Sequence, residues 1–284
     1  MASREIGLHL RLKDKFLDLA HEAIEYNLKS FQFFLTLHTS GNYININSKD
    51  RNTFIQLRQK YFSNLYIHSS YWINLGSGDS RVLSISKKLF KREINRVQQL
   101  EINYIVLHSG SYKNSNTHID PQDRIKGICT LAKSLNSFVK NISTPIILLE
   151  NTAHEGKTIG GNLDDFKLLR EYIDFPEKIC FCLDTAHAHA YGYLVNDTKN
   201  FINTLENTLG LSNIKLIHIN DLTAQCGSRN DTHAIPGKGT IGIDALKNLI
   251  NTPELSHIPL ISEPPRAGKQ TLIKLLQEIR EWGM

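Results

Sequence analysis

Short apolar runs alternate along the chain with longer amphipathic segments, and most of the runs end in a histidine or an acidic residue. Six runs lead, in chain order, into His68, His108, Glu150, Asp184, His218 and Glu263. The intervals between these six are 40, 42, 34, 34 and 45 residues, which accommodate a strand, a loop, a helix and a return loop. For Asp184 alone, capping of the following segment is an equally good interpretation, but the repetition favours one shared site.

Two further apolar runs, at 5–9 and 31–37, precede His68 and bring the predicted strands to eight. The spacing of apolar residues predicts eight helices, near 15–29, 51–61, 80–100, 122–140, 164–173, 198–209, 244–251 and 270–282. Eight alternating units favour a closed (β/α)8 TIM barrel over an open doubly wound sheet, because no G-x-G-x-x-G loop follows the first strand. We therefore predict a single α/β barrel domain over 1–284, with its site at the C-terminal ends of the strands.

The composition is that of an ordinary globular chain, with 40% hydrophobic residues, 21% charged residues and a formal net charge of +5. No run reaches the roughly 18 apolar residues that a membrane span needs, and the N-terminus has no apolar signal segment. The four cysteines form no C-x-x-C pair, and we interpret them as reduced. We expect an intracellular, cytoplasmic protein that does not bind membranes, and we expect it to be a monomer.

Three more side chains extend the set of candidate metal ligands. His187 lies within one turn of Asp184, and Asp231-x-His233 lies in a Gly-rich segment after His218. The nine residues are five histidines and four carboxylates, a set without thiolate that suits catalytic zinc, with manganese or iron as substitutes. Nine ligands are too many for one ion, so we predict three ions, two of them sharing a carboxylate. Four carboxylates against three divalent cations leave about two positive charges, which favours an anionic substrate such as a phosphodiester.

Several motifs around these residues resemble the endonuclease IV family, the trinuclear-zinc apurinic/apyrimidinic endonucleases. They are L-H-S-G-S at 107–111, L-E-N-T-A at 149–153, C-L-D-T-A-H-A-H-A-Y-G-Y at 182–193, H-I-N-D at 218–221 and G-S-R-N-D-T-H at 227–233. The resemblance runs from the first strand to the last and covers essentially the whole chain.

The resemblance implies three zinc positions. The first would be held by His68, His108 and Glu150, the second by Glu150, Asp184, His218 and Glu263, and the third by His187, Asp231 and His233. It does not use His9 for metal, and a hydrogen-bonded barrel histidine is the better interpretation of that residue. Glu150 and Glu263 are the expected catalytic residues.

The resemblance also implies a DNA-repair activity. The expected reaction is hydrolysis of the phosphodiester 5′ to an abasic site by a zinc-activated hydroxide, which leaves a 3′-hydroxyl and a 5′-deoxyribose phosphate. Activity on blocked 3′ ends is implied as well. Double-stranded DNA that carries either lesion is therefore the expected partner.

The side chains expected to contact DNA lie on loops that follow the strands. Tyr71 matches a tyrosine that the family places in a minor-groove loop, and Trp72 stands where an aliphatic wedge is usual. The alternative is that both aromatic side chains pack under the loop. Lys113, Arg229 and Lys238 are candidates for a phosphate track, against the simpler interpretation that they are solvated surface residues.

A TIM-barrel sugar isomerase or epimerase that uses a divalent metal is the main alternative function. Such an enzyme would use the four candidate ligands Glu150, Asp184, His218 and Glu263. It has no use for a third metal, so His187 together with Asp231-x-His233 argues against it. A catalytically inactive DNA-binding protein is a second alternative, but it would be free to lose ligands and none is lost.

Overall fold

Eight parallel strands close into a barrel in the computed structural model, which describes residues 4–13, 15–37, 42–112, 121–154 and 156–282. The barrel strands are β1 (Ile6–His9), β2 (Ser30–Phe34), β3 (Asn64–His68), β4 (Tyr104–His108), β5 (Ile146–Glu150), β6 (Ile179–Asp184), β7 (Ile214–His218) and β10 (Leu260–Ser262). Each strand pairs with the next along the chain, and β10 closes the barrel on β1. The remaining described strands, β8 (Asp221–Leu222) and β9 (His233–Ala234), form a separate antiparallel pair. The predicted (β/α)8 barrel is confirmed.

Helices cover the outside of the barrel, and each of the eight predicted helices overlaps an observed one. The observed helices are α1 (Asp18–Glu25), α2 (Ser48–Tyr61), α3 (Ser80–Gln99), α4 (Pro121–Val139), α5 (Asp164–Arg170), α6 (Thr185–Tyr191), α7 (Thr198–Thr208), α8 (Ile243–Ile250) and α9 (Lys269–Trp282). Helix α1 is shorter than predicted, because the chain leaves it at Tyr26 and Asn27 has a left-handed φ of 52°. None of the described helices is long and apolar enough to cross a membrane.

Among the described α-helices, α6 is the one that the periodicity of the sequence did not predict. It has 7 residues, and all of them except the last are buried, so it lacks the apolar and polar alternation of a surface helix. Asp184 caps its N-terminus, and Gly192 ends it with a left-handed φ of 118°. The consequence for the site is that His187 lies in the buried first turn of a helix immediately beyond β6.

The two-residue period of the strands explains why polar groups face inward at one end of the barrel. Leu148 lies in the barrel interior, and Glu150, two residues later on β5, points the same way. Leu216 and His218 repeat this arrangement on β7. The interior below the polar groups is filled by Tyr66, Val106, Leu148, Cys180, Cys182, Leu216 and Ile261. Because each large apolar side chain contributes about 1.5–3 kcal/mol when buried, this layer stabilises the wall from which the polar groups project.

Strands β1 and β2 approach each other closely at Gly7. A Cβ atom there would collide with the carbonyl oxygen of Ser30, so only glycine fits without moving the backbone. The pairing that follows sets His9 opposite Gln32. Strand β2 ends at Phe34, earlier than predicted, since Thr36 turns away to pair with Tyr43.

Candidate metal centre

The strand ends bring the candidate ligands together in three groups. Within each group the ligand atoms lie within 4.8 Å of one another. The groups are His68, His108 and Glu150; Glu150, Asp184, His218 and Glu263; and Asp184, His187 and His233. We call these the first, second and third groups. The third contains Asp184 where the resemblance placed Asp231, but Asp231 lies 3.2 Å from His187 Nε2 and 3.0 Å from His233 Nε2.

Glu150 connects the first and second groups. Its Oε2 lies 3.0 Å from His68 Nε2 and 3.1 Å from His108 Nε2, whereas its Oε1 lies 3.0 Å from His218 Nδ1. Burial alone would raise the pKa of this carboxyl, but the charges of His218 and His108 and their hydrogen bonds hold the pKa well below its usual range. The two oxygens therefore face different groups, as a bridging carboxylate requires.

Two of the histidines beside Glu150, His218 and His68, have a raised pKa in the protein without metal. Burial lowers the pKa of His218, but nearby negative groups outweigh burial and raise that pKa well above its usual value. At His68 the hydrogen bond to Glu150 and the charge of Glu150 likewise outweigh burial and raise the pKa. Buried carboxylates need positive charge beside them, and protonated imidazole supplies it where a cation does not.

Asp184 both caps the following helix and belongs to the second group, the two roles that the sequence left open. Its Oδ1 accepts the backbone N–H of His187 at 2.8 Å and so caps α6. Its Oδ2 accepts from Asn220 at 2.7 Å and lies 3.7 Å from His218 Nδ1. Capping and membership of the second group are compatible because they use different oxygens.

Glu263 follows β10 and is held from two sides. Its Oε1 lies 2.7 Å from His9 Nδ1 and accepts from Gln32 Nε2 at 2.7 Å, while Asn220 donates to its Oε2 at 3.3 Å. Burial opposes ionisation, but the charge of His218 and the hydrogen bond with His9 lower the pKa of this carboxyl. His9 is thus a hydrogen-bonded barrel histidine, as predicted.

The third group contains a buried nitrogen without a suitable partner. His233 Nε2 makes no acceptable hydrogen bond with the described residues, although Asp231 Oδ1 lies 3.0 Å away. His187 Nδ1 lies 2.8 Å from the carbonyl oxygen of Asn151, which leaves its Nε2 directed at Asp231. Burial opposes protonation of His233, but the close Asp231 carboxylate and the negative charges of Asp184 and Glu263 raise its pKa to about 9. An orphaned imidazole nitrogen beside a carboxylate is a fitting environment for a cation.

Asp221 organises the segment that carries Asp231 and His233. Its Oδ1 accepts from the backbone N–H groups of Leu222 and Ile241 at 2.8 and 3.0 Å. Its Oδ2 accepts from Gly237 at 3.0 Å and Gly239 at 2.9 Å. A side chain at Gly239 would collide with this carboxylate. One buried aspartate thereby folds the Gly-rich loop against the β8–β9 pair on which His233 lies.

The aromatic pair after β3 lies at the open mouth of the barrel. Tyr71 is 68% exposed and Trp72 is 78% exposed, so the alternative in which both pack beneath the loop is wrong. The Tyr71 ring also lies 5.7 Å from the ring of His68 and 5.2 Å from that of His108, between centroids. It therefore borders the first group directly.

The basic residues proposed for a phosphate track have different surroundings. The Arg229 guanidinium stacks on Tyr191, 3.7 Å from the ring centroid. Lys238 is exposed in the Gly-rich loop. Lys113 lies outside the described residues. A cavity of about 310 Å³ opens between the aromatic pair and the third group and is lined in part by Tyr71, Asn74, His108, Ser111, His187 and Asp231.

Four polar residues of this site were not singled out from the sequence. Gln32 carries a signal, because its polar amide lies between two phenylalanines of strand β2. Asn151 directly follows a ligand candidate, and Asn220 and Asp221 complete the H-I-N-D motif. All four are buried and hydrogen-bonded to ligand candidates or to the loops that carry them.

A family model described as the xylose isomerase-like TIM barrel matches residues 20–282. A probable endonuclease 4 from Clostridium beijerinckii is 30% identical over 279 residues, which cover 97% of this chain and 98% of the relative. The chain belongs to the endonuclease IV family. The crystal structure of endonuclease IV from Thermus thermophilus superimposes on this family member with a TM-score of 0.83 at 27% identity, covering 98% of each chain. A D-tagatose 3-epimerase-like protein has a TM-score of 0.75 at 16% identity over 98% of this chain and 96% of its own, a likeness of fold alone. The resemblance predicted from the motifs is confirmed.

The raised pKa of His233 predicts how the stability of the metal-free protein depends on pH. A histidine whose pKa rises on folding from 6.5 to about 9 stabilises the fold fully below pH 6.5 and loses that contribution as the pH rises towards 9. In the presence of chelator, we expect the midpoint of thermal unfolding to fall between pH 7 and pH 9, and to fall less in His233→Gln.

The matched control is His257→Gln, since His257 is exposed before β10 at the opposite end of the barrel. This variant should keep the pH dependence of the unsubstituted protein. Identical pH profiles for all three proteins would show that the ionisation of His233 is not linked to folding.

Proposed function

We propose that this endonuclease IV family member is a metal-dependent nuclease that hydrolyses the phosphodiester on the 5′ side of abasic sites in double-stranded DNA, with activity on blocked 3′ ends. The observation that carries the proposal is the gathering of nine ligand candidates, all of the expected residue types, at one end of the barrel, where Glu150 is shared by two groups and Asp231 adjoins the third. Family membership supports a nuclease, and the three groups support its chemistry.

The donor set fits zinc at three positions. Imidazole nitrogens and carboxylate oxygens without thiolate suit catalytic zinc, with manganese or iron as a substitute at one position. His68, His108 and Glu150 would hold the first ion, and Glu150, Asp184, His218 and Glu263 the second. His187, Asp231 and His233 would hold the third, with Asp184 close by. When bound, the ions would supply an activated water and Lewis-acid polarisation of the phosphate.

Glu150 and Glu263 have different parts in the proposed reaction. The two oxygens of Glu150 connect the first and second groups. Because Glu150 is fully buried, it does not reach the substrate. Glu263 lies at the edge of the second group, with 16% of its side chain exposed. Its Oε1 is engaged by His9 and Gln32, whereas its Oε2 accepts only a longer hydrogen bond from Asn220, at 3.3 Å, and is the oxygen that would face the second metal position and an attacking water. Glu263 is therefore the carboxylate that orients the nucleophile.

The surface around the mouth suits DNA. Tyr71 and Trp72 project beside the first group, at the place where a base step would be opened. Arg229 and Lys238 lie on loops at the same end of the barrel and would contact phosphates, and Lys113 is proposed for the same role from the sequence. The formal net charge of +5 is compatible with a polyanion.

A sugar isomerase or epimerase is the less favoured function. The four-ligand metal site of such an enzyme would account for the second group but would leave the third group without a role. His187 and His233 both face Asp231 at 3.2 Å or less, which is more than a four-ligand site needs. The epimerase-like neighbours share the fold at low identity and carry no argument about the substrate.

The function is tested on a duplex that contains one abasic analogue. We expect zinc-reconstituted protein to incise it on the 5′ side and to leave a 3′-hydroxyl, and we expect prolonged chelation to abolish incision. Glu263→Gln should lower turnover by about 100-fold or more and leave the Kd for the duplex almost unchanged, because it acts on the attacking water.

Glu254→Gln is the matched control, because it removes the same charge from an exposed residue at the opposite end of the barrel. It should incise like the unsubstituted protein. Losses of equal size in affinity and turnover for Glu263→Gln would contradict its assigned part, and a zinc-loaded protein that leaves the duplex intact would contradict the function itself.

The aromatic pair is tested by DNA binding. Stacking of an aromatic side chain on a base is worth about 1–3 kcal/mol, so Tyr71→Ala and Trp72→Ala should each weaken binding to abasic duplex by roughly tenfold or more. Binding to undamaged duplex depends on phosphate contacts and should change little.

Tyr172→Ala provides the control, since Tyr172 is another exposed aromatic residue but follows α5 at the opposite end of the barrel. Its affinity for both duplexes should match that of the unsubstituted protein. If the Tyr71 and Trp72 variants unfold at much lower temperature and lose affinity for both duplexes equally, the pair supports the fold and does not enter the DNA.

A further inference from the structure

Strands β1 and β2 carry none of the nine ligand candidates, but each directs a polar side chain towards the second group. His9 and Gln32 are paired in register across these strands. Gln32 is completely buried in the sequence S-F-Q-F-F. A buried amide without hydrogen bonds destabilises the folded state, so its position in this strand requires a compensating interaction.

The Gln32 amide contacts two members of the second group at once. Its Nε2 donates to Glu263 Oε1 at 2.7 Å, and its Oε1 lies 3.0 Å from His218 Nε2. The same Nε2 is 2.9 Å from His9 Nδ1, which itself lies 2.7 Å from Glu263 Oε1. The amide therefore bridges a carboxylate and an imidazole that approach the same position from different strands.

Chemistry fixes which way the amide faces. An ionised carboxylate can only accept hydrogen bonds, so the NH2 group must be the end that faces Glu263. The Gln32 oxygen then faces His218 and accepts a hydrogen bond from His218 Nε2–H. A neutral His218 consequently has its lone pair on Nδ1, which lies 3.0 Å from Glu150 and 3.5 Å from Glu263. That nitrogen is directed at the centre of the second group.

We propose that Gln32 is the positioning residue of the second group, where it selects the Nε2–H tautomer of His218 and holds Glu263 in place, and so determines how tightly that group binds a metal ion. The inference rests on the proposed metal centre. Residues that hydrogen-bond to metal ligands without contacting the metal orient those ligands, and removing such a residue typically lowers metal affinity or activity by about 10–100-fold. Gln32 is not a catalytic residue, because the ligands lie between it and the mouth.

The test is Gln32→Met, which keeps the length of the side chain and removes both hydrogen bonds. Zinc is added to chelator-treated protein in competition with a chromophoric chelator, and bound metal is counted by elemental analysis after dialysis. We expect one of the three zinc affinities to fall about 10–100-fold, so that the dialysed variant retains two ions where the unsubstituted protein retains three.

Ser30→Ala is the matched control. Ser30 lies two residues earlier on the same face of β2, is fully buried, and its hydroxyl has no hydrogen-bond partner among the described residues. This variant should bind zinc like the unsubstituted protein. If Gln32→Met also keeps all three affinities, or lowers thermal stability equally with and without zinc at unchanged affinity, Gln32 only fills the barrel and the inference is wrong.

A second measurement needs no variant. In zinc-loaded protein, ¹⁵N NMR of the histidine rings should identify His218 as the Nε2–H tautomer, and an Nδ1–H tautomer would overturn the inference. Unsubstituted protein that binds no zinc at all would instead refute the proposed metal centre, and the inference with it.

Discussion

Glu150 is a completely buried carboxylate whose two oxygens face different clusters of imidazole nitrogens, and the surrounding structure depends on balancing its charge. Isolating such a group from water is costly unless positive charge and hydrogen bonds replace the solvent. In the metal-free protein, histidines with raised pKa supply the charge. Divalent ions at the same positions would supply more positive charge. Many imidazoles and carboxylates can share one barrel mouth because such positive charge balances the carboxylates.

The scaffold meets this requirement through strand geometry and a layer of amides. Parallel strands present every second side chain to the interior, so apolar residues such as Leu148 fill the barrel below and the next inward residue becomes a ligand candidate. Asn151, Asn220 and Gln32 then make hydrogen bonds with Asp184 and Glu263 in these groups. A TIM barrel thus separates the residues that stabilise the fold from those that carry chemistry, although they alternate on the same strands.

Features that repeat along the chain were predictable, and features that depend on contacts between distant segments were not. The barrel and the convergence of Glu150 with His218 follow from strand spacing. The short helix α6 was missed because almost all of it is buried and it has no amphipathic period. The contact of Gln32 with His218 joins residues 186 positions apart, and only the closure of the barrel reveals it. An amide between two phenylalanines of β2 was the one available sign.

Anomalous diffraction at the zinc edge, from crystals of zinc-reconstituted protein, tests the central claim most directly. The account predicts three anomalous peaks at the C-terminal end of the barrel, two of them sharing Glu150 as a ligand and the third beside His187 and His233. A single peak at this end, or none, would contradict the trinuclear centre and with it the proposed assignment of the nine ligand candidates to three ions.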